Sequence, residues 1–202
     1  AIEAWEKVLE LSRPEDVIYE AIGHCYHRMK NYAQARFHYK KAVHLNSDDS
    51  RLYQKIAATY MQEGQWQQAI KQLEHAIRIH KHINEYSILM GECFMHLGEY
   101  KEAAAYFGTV VKNKPKQIAG WESLIKCLVA NDQLALALEQ TELAYMSTSG
   151  KVIFVFYRSA ILYMMKKTSE ALLQLEMALS KSSKLVNKLT KFYPEMMQDP
   201  KV

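Results

Sequence analysis

The sequence contains few of the residues that interrupt regular structure or build covalent frameworks. Among its 202 residues there are only four prolines, seven glycines and three cysteines. So little proline and glycine excludes a low-complexity chain, and an odd number of cysteines argues against a disulfide framework or a four-ligand zinc site. No apolar run approaches the roughly 18 residues of a membrane helix. Hydrophobic residues nevertheless make up 49% of the chain, enough to build a core.

Neither sign of charge dominates the sequence. It has 26 basic and 22 acidic residues, a net charge of +4, which is too balanced to indicate nucleic-acid binding. Near the end, lysines follow one another at intervals of three or four residues: Lys181, Lys184, Lys188 and Lys191. On a helix this spacing gives either a solvated basic face or a surface for an acidic partner. We predict no nucleic-acid partner and no membrane insertion.

Signatures of catalysis or cofactor binding are missing. The glycines occur singly, so there is no phosphate-binding loop or dinucleotide fingerprint. His24 and His27 flank Cys25, which leaves open a metal site that needs a further ligand or a polar pair on a helix surface. The acidic pairs Glu15-Asp16 and Asp48-Asp49 are predicted to begin helices. The sequence predicts a protein that is not an enzyme and has no metal or cofactor.

A period of 34 residues runs through the chain. Its clearest column is alanine: Ala35, Ala69, Ala103, Ala137 and Ala171. The third repeat shows the other columns, with a small residue at Gly91, rings at Phe94 and Phe107, and Pro115 near its end. Five repeats of equal length follow: 16–49, 50–83, 84–117, 118–151 and 152–185. A small residue recurring near a ring is what closely packed helices need.

Each repeat has the pattern of two amphipathic helices. In the second repeat, Tyr53, Ile56 and Tyr60 recur at helical spacing, and Gly64 then permits a turn. The three cysteines share one column, so they are predicted to be core thiols: Cys25, Cys93 and Cys127. Core thiols are expected in a reducing compartment, and we expect a cytoplasmic protein.

Both ends and the last repeats depart from the pattern. Residues 1–15 match a second helix, with Ala1 and Trp5 in the columns of Ala35 and Tyr39, and are interpreted as part of a truncated repeat. Residues 186–202 are predicted to form a capping helix, which Pro194 ends, and a tail. In the last repeats, Thr141 replaces a ring, Arg158 stands where an apolar residue is expected, and Ser159 occupies the glycine column.

With these columns, the chain resembles the tetratricopeptide repeat (TPR) family over nearly its whole length. The resemblance implies an all-α fold, a right-handed α-solenoid of antiparallel helix pairs with about five repeats and flanking helices. It also implies a non-catalytic protein-interaction scaffold or adaptor that binds a peptide segment or a partner helix in a concave groove. Two alternatives stay open: a regulatory or targeting arm of a larger enzyme or transcription factor, and a scaffold that forms a homodimer through the C-terminal repeat.

In TPR proteins the first helices line the groove, and carrying that face onto this sequence gives the predicted partner-binding residues. They are Glu20, His24, His27, Arg28, Arg51, Gln54, Lys55, Met61, Gln62, Ile88, Glu92, Met95, Glu122, Lys126, Phe156, Tyr157 and Tyr163. The carboxylate clamp of chaperone-binding TPR proteins and the asparagine ladder of another subgroup are both unmatched. The three last aromatic residues leave two interpretations open, contact with a ligand or packing under the final helix.

Overall fold

The computed structural model describes residues 2–11, 13–81 and 83–198, apart from the side chain of Met197. Ala1 and the predicted tail after residue 198 therefore lie outside the described residues. Within the described ranges the chain is helical throughout, with twelve α-helices and no strand. The all-α class predicted from the sequence is confirmed. No helix in these ranges is long and apolar enough to cross a membrane.

The helices have nearly equal lengths and follow one another through short turns. They are α1 Ile2–Leu11, α2 Asp16–Arg28, α3 Tyr32–Leu45, α4 Ser50–Gln62, α5 Trp66–Ile79, α6 Asn84–Leu97, α7 Tyr100–Asn113, α8 Ile118–Ala130, α9 Leu134–Ser147, α10 Ile153–Met164, α11 Thr168–Lys181 and α12 Val186–Phe192. Short 3-10 segments occur at Ser183–Leu185 and Pro194–Gln198. As expected, α2 begins at Asp16, and the Asp49 side chain accepts a hydrogen bond from the Arg51 amide at the start of α4.

The chain divides into two compact units, Ala1–Gly98 and Glu99–Val202. In the first unit, α2 packs against α3, α4 packs against both α3 and α5, and α6 packs against α5. In the second unit, α8 packs between α7 and α9, while α10 contacts α9, α11 and α12. Each unit is therefore a row of helices in which neighbours along the chain pack together, except that α12 packs on α10.

One backbone conformation recurs at the turn between the two helices of a repeat. Lys30, Gly64, Gly98, Asp132 and Lys166 all have positive φ angles between 56° and 78°. The residue after each of four of these closes the turn by donating its amide to a carbonyl in the preceding helix, as Gln65 does to Tyr60 at 2.9 Å. This is the Schellman pattern, which favours glycine in the left-handed position. Only two of the five positions, Gly64 and Gly98, are glycine. The closing hydrogen bonds therefore impose the left-handed conformation on Lys30, Asp132 and Lys166.

The small-residue columns are buried in both units. All five alanines of the repeat column are inaccessible to solvent. In α2, Gly23 faces the ring of Tyr39 so closely that a Cβ atom on it would lie 2.7 Å from that ring. Ser159 occupies the glycine column of α10 and donates its hydroxyl to the Ala171 carbonyl at 2.7 Å. A hydrogen bond thus joins the helix pair where other repeats have only close packing.

We predict that Gly23→Ala destabilises the protein by about 1–3 kcal/mol, because the new methyl group must displace the buried Tyr39 ring. Gly108→Ala is the matched control, since it also replaces a glycine inside a helix but meets open space. It should stabilise the protein by up to about 1 kcal/mol through helix propensity alone. Urea denaturation of both variants measures the difference, and equal effects would contradict the close approach.

The cysteine column is largely buried, as the sequence indicates. Cys93 and Cys127 are buried and Cys25 is half-buried. Burial raises the pKa of the Cys93 thiol to about 12 and that of the Cys127 thiol to about 11. Because the thiolate is the reactive form, both side chains are protected from alkylation in the folded protein.

We therefore expect alkylation at about pH 8 to be biphasic, with Cys93 and Cys127 reacting on the order of a hundredfold more slowly than Cys25. Cys25→Ser should remove the fast phase only. In denaturant all three thiols should react at similar rates. A fast phase that survives in Cys25→Ser would show that one of the other two thiols is accessible.

Candidate interaction surfaces

In the first unit, polar side chains bridge successive first helices. The Lys55 ammonium of α4 lies 2.5 Å from the Glu20 carboxylate of α2, and both side chains are about one-third exposed. The Gln54 amide of α4 donates to the Glu85 carboxylate of α6 at 2.7 Å. Three predicted groove residues, Glu20, Gln54 and Lys55, are thus brought together in a chain of contacts across α2, α4 and α6. We call this surface the first-helix face of the first unit.

The other predicted residues of the first unit differ in accessibility. His24, Arg28, Arg51, Gln62 and Glu92 are exposed, whereas His27, Met61, Ile88 and Met95 are half-buried. The Arg51 guanidinium folds back onto Asp49, the capping residue of its own helix, at 2.8 Å. The exposed members carry both signs of charge, so this face offers polar and charged contacts with a smaller apolar contribution.

The two histidines of α2 have different surroundings. His24 is exposed, while the half-buried His27 meets the Tyr32 ring edge-on with centroids 5.4 Å apart. Burial lowers the pKa of His27, and the neighbouring His24 and Lys55 lower it further. No group of three or more His, Cys, Asp or Glu side chains in the described ranges is arranged to hold a metal ion. The lowered pKa favours a neutral His27 imidazole beside the Lys55 ammonium.

In the second unit, two side chains from other helices converge on Glu122 of α8. The hydroxyl of Tyr157 in α10 donates to Oε1 of Glu122 in α8 at 3.0 Å. The ammonium of Lys188 in α12 donates to the same oxygen, also at 3.0 Å. Burial raises the pKa of the Tyr157 hydroxyl, and the Glu122 carboxylate raises it further. Lys126, one turn after Glu122, is exposed beside this cluster.

The position of α12 bears on whether the C-terminal aromatic residues contact a ligand or pack under the final helix. Phe156 is inaccessible to solvent and Tyr157 is 2% exposed. Phe156 belongs to a buried cluster with Leu189 of α12, and the Tyr157 ring contacts Phe192 with centroids 4.5 Å apart. Both aromatic side chains pack under the final helix in this structure. Tyr163 is half-buried, with its ring 6.2 Å from that of Tyr193.

We predict that Leu189→Ala lowers the free energy of unfolding by about 2–5 kcal/mol, because Leu189 is inaccessible to solvent and its loss leaves a cavity over Phe156. Asn187→Ala, at an exposed position of the same helix, is the control and should change stability by less than about 0.5 kcal/mol. Chemical denaturation measures both. Similar values for the two variants would mean that α12 does not dock on α10.

Sequence reasoning missed the residues that complete this cluster. Lys188 and Phe192 lie one helical turn apart on α12 and reach Glu122 and Tyr157 respectively. The pattern left the lysines as either a solvated basic face or a surface for an acidic partner, and it did not place Lys188 next to Glu122. The four-residue spacing of Lys188 and Phe192 was the available signal, because residues at i and i+4 share one side of a helix.

Comparison with known proteins supports the repeat assignment. The model of the family "Anaphase-promoting complex, cyclosome, subunit 3" matches residues 28–110, which is less than half of the chain. No curated protein sequence matches the chain. Many solved structures do match, and their similarity concerns the fold because their sequence identities are low.

Three of these structures illustrate the similarity. YrrB, described as a TPR protein with an unusual peptide-binding site, has a TM-score of 0.71 at 19% identity, covering 98% of this chain and 96% of YrrB. MamA from Desulfovibrio magneticus RS-1 has a TM-score of 0.70 at 14% identity, covering 82% and 93%. The first TPR of Spaghetti (RPAP3), bound to the HSP90 peptide SRMEEVD, has a TM-score of 0.55 at 17% identity, covering 58% and 94%. The predicted fold class, an α-solenoid of the kind found in TPR proteins, is confirmed.

Proposed function

We propose that the chain is a non-catalytic protein-interaction module that binds a peptide segment or a partner helix on a first-helix face, the surface formed by α2, α4 and α6 in the first unit and by α8 and α10 in the second. The observation that carries the proposal is the arrangement of polar side chains there. Glu20 and Lys55 lie on successive first helices, are about one-third exposed, and hold each other in place. Charged groups already positioned by the fold lose little conformational freedom when a partner binds.

The comparisons support this proposal at the level of the fold. Two of the similar structures are described as having a peptide-binding site or a bound peptide, and one of them spans nearly the whole length of this chain. The chemistry of this face differs from a carboxylate clamp, because Glu20 and Glu85 stand where cations or amides would be needed. Mixed charges favour a partner segment that itself carries both signs.

To test whether this face binds peptides, displayed random peptides of roughly 14 residues, or four helical turns, are selected for binding to the intact chain. We expect Arg28→Glu in α2 and Lys126→Glu in α8 to weaken selected peptides by at least about tenfold, or 1.4 kcal/mol. The first variant reports on the first unit and the second on the second unit. Titration of each purified variant with labelled peptide measures the effect.

Lys71→Glu in α5 and Lys101→Glu in α7 are the matched controls. Both lysines are exposed on second helices, and each substitution changes the net charge by the same amount. Peptides that bind through a first-helix face should tolerate them. If every selected peptide is weakened by the controls and none by Arg28→Glu or Lys126→Glu, the proposed binding face is wrong.

A further inference from the structure

Two residues in the second unit depart from the apolar packing found at the equivalent positions of the first unit. In the first unit, Tyr39 of α3 and Ile56 of α4 pack in one buried cluster and are 2% and 1% exposed. Three repeats later the equivalent positions hold Thr141 of α9 and Arg158 of α10. A ring and an aliphatic side chain are thus replaced together by a small hydroxyl and a cation.

This exchange coincides with a cavity bounded by α9, α10 and α11. Thr141 donates its hydroxyl to the Leu138 carbonyl of its own helix at 2.6 Å, so it does not extend across the gap as a ring would. The Arg158 guanidinium enters the space and donates through Nη1 to the Glu142 carboxylate. Gln174 and Lys181 of α11 line the same cavity.

The cavity is suited to a further carboxylate. Arg158 and Lys181 outnumber Glu142, which leaves one positive charge in excess. The Arg158 and Glu142 side chains are 40% and 45% exposed, and ion pairs this open to water contribute little to stability. Among the described residues Arg158 uses only Nη1, so Nε and Nη2 remain for the planar, two-point contact that arginine makes with carboxylates.

Exposed apolar side chains lie on the two second helices that bound the cavity, α9 and α11. Leu143 of α9 is 39% exposed and Met177 of α11, which lines the cavity, is 45% exposed. Met146 lies one turn after Glu142, and Leu173 lies one turn before Met177; they are 61% and 57% exposed. The positions equivalent to Leu143 and Met177 in the first unit are Lys41 and His75. The helices α9 and α11 therefore have apolar residues where the second helices of the first unit have polar ones.

We propose that this outer cavity, between α9 and α11, binds an acidic side chain of a partner protein segment whose neighbouring residues are apolar. Arg158, assisted by Lys181, holds the carboxylate, while Met177 and the adjacent exposed apolar side chains contact the rest of the segment. A free small carboxylate would leave those apolar side chains uncovered, and exposed apolar patches next to polar groups are typical of protein-binding surfaces. The site lies on second helices and does not depend on the function proposed for the first-helix face.

The test uses the same displayed random peptides on the intact chain and a variant that restores the packing of the first unit. Thr141→Tyr/Arg158→Ile places the Tyr39–Ile56 pair in the cavity and should fold. We expect a class of selected peptides with Asp or Glu among apolar residues, and at least about tenfold weaker binding to this variant. Arg158→Gln, which leaves the cavity open, should weaken the same peptides, whereas Arg78→Gln on the exposed surface of α5 should not.

Arg28→Glu and Lys126→Glu separate this site from the first-helix face, because peptides held in the outer cavity should bind both variants normally. The proposal is overturned if no selected peptide binds more weakly to Thr141→Tyr/Arg158→Ile or to Arg158→Gln, since the Arg158–Glu142 pair is then only a structural contact. It is also overturned if sedimentation shows a dimer that Thr141→Tyr/Arg158→Ile dissociates. In that case a second copy of this chain, rather than another protein, covers the cavity.

Discussion

The close approach of paired helices is the constraint on which the rest of the structure depends. It is possible because one column of each repeat is alanine and a second column is small in every repeat except the fourth, which has Ile125 there. The alanines are inaccessible to solvent in all five repeats. At Gly23 the facing ring leaves no room for even a methyl group. Packing this tight fixes the axial position of each helix against its neighbour, since a shift of one residue would bring a larger side chain into the contact.

Fixed helix positions in turn determine which surface residues meet. The Glu20–Lys55 contact of the first unit and the Glu122–Tyr157 contact of the second both join residues 35 positions apart, in equivalent places of successive first helices. The chemistry differs, because the first contact is an ion pair and in the second a buried hydroxyl donates a hydrogen bond to the carboxylate. The fold therefore sets where side chains meet, and the individual residues decide what each meeting place can bind.

The periodic features could be predicted from the sequence because they depend on contacts that every repeat shares. The alanine and cysteine columns, the helix pairs and the start of α4 at Ser50 belong to this group. The positive φ angles of Lys30, Asp132 and Lys166 could not be predicted from residue type, since closing hydrogen bonds impose them. The burial of Tyr157 could not be predicted either, because it depends on where α12 docks, and α12 has no counterpart in the repeat pattern.

In a repeat protein, an unusual residue can be compared with the residues at equivalent positions of the other repeats. Packing constraints act alike on equivalent positions, so a ring at Tyr39 and an aliphatic side chain at Ile56 show what stability requires at that contact. Thr141 and Arg158 depart from this requirement together, and they do so beside exposed apolar residues. A single substitution would be explained by local compensation, as Ser159 is by its hydrogen bond to Ala171. Thr141 and Arg158 instead open a charged cavity at the surface, which is why we propose binding there.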